Sequence, residues 1–141
     1  MIAEAAQDLI TKLKTITSFG TTVKRVGLAA GAKGMDPMME KADRPAAWVI
    51  FVGDSNPAGD RNPSCVTSIV LNFVVKVIVD YNTESDLLNI QYPLLEEIIQ
   101  TVAGKEAGDL SVKWKYDGQA LDELTGDRMV FDQRYSITVV V

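Results

Sequence analysis

From Thr67 to Tyr81 the odd-numbered positions Ile69, Leu71, Phe73, Val75, Val77 and Val79 are all apolar, while the even ones include Ser68, Asn72, Lys76 and Asp80. Successive side chains of an extended strand point to opposite faces, so this pattern predicts one long β-strand with a core face and a partly wet face. At about 3.3 Å per residue it reaches roughly 50 Å. A compact domain of this length has a radius of gyration of only about 14 Å. Part of the strand is therefore expected to project, to bend, or to pair with a neighbouring subunit.

The other segments fall into place around this strand. Ile2, Ala6, Leu9, Leu13 and Ile16 recur at steps of four and three, which puts them on one stripe of an N-terminal helix that stops near Ser18 to Gly20. Thr21 to Leu28 reads as a short strand, and the glycines at 27, 31 and 34 with Pro37 make a long loop as far as about Pro45. Ala46 to Val52 is an unbroken apolar run, expected of a central strand covered on both faces. Gly53 to Ser64, rich in Asp, Asn, Gly and Pro, reads as a loop joining it to the long strand. Asp86 is placed to cap a short turn, and Pro93 to open a second helix through Leu94, Leu95, Ile98, Ile99 and Val102 to Gly104. Leu110, Val112, Trp114 and Tyr116 alternate as a half-exposed strand, and Met129 to Val141 as the last one. Helix, strands, helix, strands without regular βαβ alternation predicts an α+β class. The expected architecture is a single domain over residues 1–141, an antiparallel or mixed sheet with both helices on one face and long irregular loops.

The bulk numbers agree with an ordinary core: 47% of residues are hydrophobic and 23% charged, far from disordered or fibrous compositions. The formal charge is -5 and the basic residues are scattered, which argues against a dedicated nucleic-acid binder. No stretch approaches the roughly 20 uncharged apolar residues of a membrane span, and the N-terminus lacks a basic leader. Cys65 is the lone cysteine, so no internal disulfide forms, and a folded chain in a reducing cytoplasm is the simplest expectation.

The chemistry available is equally bounded. With no histidine, the commonest general base, nucleophile activator and transition-metal ligand is missing. Cys65, beside Pro63 and Val66, reads as a structural thiol rather than a nucleophile. Gly27, Gly31 and Gly34 form no phosphate cradle, because Lys33 precedes the last glycine and no Gly-Lys-Ser/Thr follows. Asp54, Asn56 and Asp60 suggest calcium only superficially, with Pro57 inside the spacing and no glutamate closing the loop. Glu96 with Glu97, and Asp122 with Glu123 in the later loop, are adjacent pairs that read as solvated charge. Trp48, Trp114, Tyr116 and Tyr135 fit sheet packing. These readings assign no catalytic, metal or cofactor-binding residues.

The amphipathic first helix, RPAAWVIFVGD, TSIVLNFVVKVIVDY, YPLLEEIIQTVAG and MVFDQRYSITVVV, taken in order, resemble the tail terminator proteins of long-tailed bacteriophages, including those that close contractile tails. The resemblance spans nearly the whole chain and is one of pattern and order. It implies a hexameric ring on the last ring of the tail tube, at the head-proximal end of the virion tail, assembled in the host cytoplasm. Implied partners are further copies of the chain, the tail tube protein, a head connector or neck protein, and the tail sheath if the tail is contractile. No cofactor, membrane or specific nucleic-acid partner is implied. A head-tail connector or tail completion protein has a similar composition, and a small enzyme requires a convergent pocket for which no residues offer themselves.

Interface candidates follow from the overlong strand and the loops. Lys76 and Asp80 mark the strand's wetter face, and Asp60 and Arg61 offer opposite charges in the 53–64 loop. Met35, Met38 and Met39 are either adaptable contact residues or cover for one edge of the core. A ring around a DNA channel is expected to have a neutral or acidic lumen. The alternative is a strand that bends at a bulge and stays within one monomer.

Overall fold

The computed structural model describes residues 1–19, 26–28, 44–56 and 68–140. The strands β1 (Val26–Leu28), β2 (Ala46–Ser55), β3 (Ser68–Asp80), β4 (Lys115–Thr125) and β5 (Arg128–Val140) form one sheet in the order β1-β2-β3-β5-β4. β1 runs parallel to β2, and every other neighbouring pair is antiparallel. The alternation that dominates the sequence sets the faces. Leu71, Phe73, Val75, Val77 and Val79 are buried toward the helices, and Lys76 and Asp80 lie among the half-buried residues of the other face. Both helices sit over the apolar face, giving the α+β class with a mixed sheet.

The expected projection of the long strand is corrected. β3 is central: β5 pairs with it from Ser68↔Val140 to Asp80↔Arg128, and β2 from Val70↔Ser55 to Ile78↔Ala46. Its donors and acceptors meet partners within the chain on both sides. A second strand of the same length, β5, lies alongside the first over its whole extent. β2 also runs three residues beyond Val52 into the expected loop. A bulge between Phe51 and Gly53 turns Val52 outward, and only the Ala46 to Val49 half of the strand is buried on both faces.

Helix α1 (Ile2–Lys14) buries Ala5, Ala6, Leu9, Ile10 and Leu13, with Ile16 beyond its end. Ile2 is 40% exposed, so the stripe starts one turn later than expected and is wider. Helix α2 (Tyr92–Val102) buries Leu94, Leu95, Ile98 and Val102. Pro93 stands in the first turn of α2, as expected, but the helical run begins before it. Thr83 caps a turn over Glu84–Asp86 by accepting the Asp86 N–H at 3.0 Å, so Asp86 donates instead of capping. A π turn, Leu87–Gln91, then leads into α2. In a regular helix the Pro93 ring would strike the carbonyl four residues back. The π turn, where the Tyr92 N–H reaches the Leu87 carbonyl, widens the backbone just before it.

Residues 110–114 are also corrected, while Lys115 and Tyr116 do stand on a strand. Gly108–Leu110 is a 3₁₀ turn, Ser111 takes a left-handed conformation, and the Gly104 N–H to Trp114 carbonyl bond (2.8 Å) ties the segment into a small hairpin. The sidedness was legible, because Leu110, Val112, Trp114 and Tyr116 do face the core. Trp114 closes it, edge-on to Phe73 (centroids 5.5 Å, 82°), with its indole N–H donating to Asp8 Oδ2 at 2.8 Å. Lys12 Nζ bridges the same carboxylate and the Glu106 carbonyl, both at 2.7 Å, fixing α1 to this hairpin. The buried Gln133 amide donates to the Leu95 carbonyl (3.0 Å) and accepts from Tyr135 Oη (2.8 Å), linking α2 to the sheet.

Candidate interaction surfaces

Polar side chains gather on the sheet face away from the helices. Lys76 Nζ lies 2.8 Å from Asp122 Oδ2 of β4 and 2.8 Å from Asp132 Oδ1 of β5, with 16% of its side chain exposed. Burial pulls its pKa down, but the hydrogen bonds to the two carboxylates outweigh burial and hold it above the usual lysine value. Asp80 accepts from Arg44 Nη1 at 3.1 Å, and the same guanidinium reaches Asp127 at 3.0 Å in the β4–β5 turn. Arg128 meets Glu123 at 2.8 Å, and that bond, with one from Thr125, holds the Glu123 carboxyl below the ordinary carboxylate value. Lys76 and Asp80 thus share the wet face, as the alternation requires, and each is tied to neighbouring strands of its own chain. Asp60, Arg61, Met35, Met38 and Met39 lie outside the described residues, as do Cys65 and most of the 53–64 loop.

Asp122 and Glu123, expected in a loop, stand on strand β4. A bulge between Leu121 and Glu123 lets both carboxylates find cations on the wet face. Each is held in an ion pair, Asp122 sharing Lys76 with Asp132, rather than poised for proton transfer. Beyond this network the wet face opens into a shallow groove of about 660 Å³ bounded by Val52, Val70, Val74, Lys115, Asp117 and Arg134. Its charges are of both signs and its walls are sheet side chains.

A second surface flanks β4 on the helix side. Leu121 is 49% exposed and Leu124 54%, and Tyr92 and Glu96 of α2 face Leu121 across a cleft of about 270 Å³. The sequence hides this surface because the bulge inserts one residue into the alternation: Gln119 and Leu121 are followed on the same face by Leu124 rather than residue 123. The signal that could have found it is the Thr125-Gly126-Asp127-Arg128 turn. Gly126, at φ +59°, stands first in a two-residue hairpin loop, which demands a strand on either side.

Among the described residues no group of three or more Cys, Asp or Glu side chains is placed to hold a metal ion. No helix among them is long and apolar enough to cross a membrane. No protein-family model matches the sequence, and no curated protein matches it. The fold does match a chain of a solved structure, that of the virion of a native gene transfer agent particle. The two share 11% identity at a TM-score of 0.60, over 96% of this chain and 94% of that chain.

Proposed function

We propose that this chain is a non-enzymatic structural protein of a phage-like particle, and that it forms a ring, a hexamer, that ends the tail tube and joins it to the head. The observation that carries the reading is the end-to-end fold likeness to a chain of a virion, 96% of one chain against 94% of the other. A likeness that leaves almost nothing over on either side favours the same kind of working unit over a shared substructure. The surfaces suit the part. Lys76, Arg44 and Arg128 on the wet face are held in ion pairs, the grooves are shallow, and exposed apolar side chains line a sheet edge, which is equipment for contact rather than for turnover. A net charge of -5 suits a ring that DNA must pass without being held. The partners in this reading are further copies of the chain, the tube protein and a head connector, with a sheath where the tail contracts.

The test is to delete the coding sequence from a strain that makes the particle and to image the products. Tails of uncontrolled length, detached from heads, are expected. Tails of normal length lacking heads would reassign the chain to joining or completion, and intact infectious particles would refute the reading.

A further inference from the structure

We propose that the outer edge of β4 receives the β1 edge of a second copy of this chain, so that the sheet continues antiparallel from subunit to subunit. The inference rests on the ring reading above and names the contact that would close it. Among the described residues β4 pairs on one side only, with β5, from Lys115↔Ser136 to Thr125↔Arg128. The other side presents a long row of backbone donors and acceptors, the feature that proteins normally shorten or cover. Its bulges and charges discourage indiscriminate pairing. Its flank invites pairing: Leu121 and Leu124 are about half exposed beside the edge, with Tyr92 across the cleft, and a strand laid along β4 would cover them.

Polarity and charge choose the occupant. Among the described residues β1 is the other outer strand, and Leu28 at its end is 53% exposed. It runs with β2, against β3, with β5 and therefore against β4. Copies set side by side in one orientation bring β4 of one subunit antiparallel to β1 of the next, with no subunit turned over. That is a head-to-tail contact, the kind that closes into a ring when repeated by a rotation. β4 carries Asp117, Asp122 and Glu123 against Lys115 alone, whereas β1, Val26–Leu28, carries no charge and directly follows Lys24 and Arg25 in the sequence. Pairing β4 with another β4 would set acidic strand against acidic strand.

The test uses Leu121→Arg, which puts a cation on the acceptor edge, and Leu28→Asp, which puts an anion on the donor edge. Far-UV circular dichroism and melting confirm that each variant folds. By sedimentation, each alone should run as a monomer at a concentration where the wild type assembles, and an equimolar mixture should give dimers, because the one native edge of each variant can meet that of the other. Loss of assembly in Leu121→Arg but not in Leu28→Asp would overturn the proposal in favour of β4 pairing with itself or with another protein. Wild-type assembly in Leu121→Arg would overturn it outright, as would a wild-type chain that stays monomeric at about 1 mM. None of these results bears on the deletion phenotype, by which the virion role is judged separately.

Discussion

Replacing Phe73 by alanine tests the core at its centre. The ring is 1% exposed, 5.3 Å from the Phe51 ring on β2 and 5.5 Å from Trp114 at nearly a right angle. Removing a buried phenylalanine costs about 3 to 5 kcal/mol through lost transfer energy and the cavity left behind. Each aromatic pair is worth about 0.5 to 1.5 kcal/mol beyond area, so the upper half of that range is expected. At about 3 °C per kcal/mol for a domain of this size, the melting point should fall by roughly 12 °C. Phe73→Leu, which keeps much of the volume, should lose about 1 to 2 kcal/mol. Val74→Ala, on the opposite face, should lose about 1 kcal/mol or less. The assay is urea unfolding followed by far-UV circular dichroism, at one fixed protein concentration because assembly would add apparent stability. A loss below about 1 kcal/mol for Phe73→Ala, or a larger one for Val74→Ala, would show that the faces of β3 are assigned wrongly.

Asp8→Ala strands the buried Trp114 indole N–H and releases Lys12, so a loss of about 2 to 3 kcal/mol in urea unfolding is expected, with Asp8→Asn recovering part of it. Gly126→Ala forces a side chain to φ +59°, and calorimetry should register a cost of about 1 to 2 kcal/mol. Alkaline pH should unfold the chain: burial, and then the nearby Tyr116, push the Tyr135 phenol well above its usual value, and Lys76 is also raised on balance. Both groups keep their protons in the folded state, so their contributions are complete below about pH 10 and are lost as the pH rises beyond it. The urea midpoint should hold between about pH 7 and 9.5 and then fall, less steeply in Tyr135→Phe, and a flat profile to pH 11 would contradict this.

Much of the fold was legible wherever one residue type repeated with a clean period. The core face of β3 alternates without interruption, that of β5 does so except at the buried Gln133, and α1 and α2 carry their stripes, so faces and layers followed directly. The misreadings share a physical cause, an inserted residue or a local turn that breaks the period without breaking the element. The bulge at Val52 hid the end of β2, the bulge beside Asp122 hid β4, and the π turn before Pro93 hid a helical stretch that begins at Glu84. Of the interface candidates, Lys76 and Asp80 were placed on the correct face by parity alone. Their ion pairs were not readable, because Asp122, Asp132 and Arg44 reach them through pairings between strands distant in the sequence. The apolar flank of β4 was invisible for the same reason, since Leu121 becomes a neighbour of Tyr92 only once the sheet order is known.

The central claim, that the chain is a ring at the head-proximal end of a phage-like tail, is tested most directly by locating it in purified particles. A tagged copy that replaces the native chain, labelled with gold and imaged by electron microscopy, should give one cluster of label per particle, where the tail meets the head. Label spread along the whole tail, label on the head shell, or particles that carry none would contradict the account.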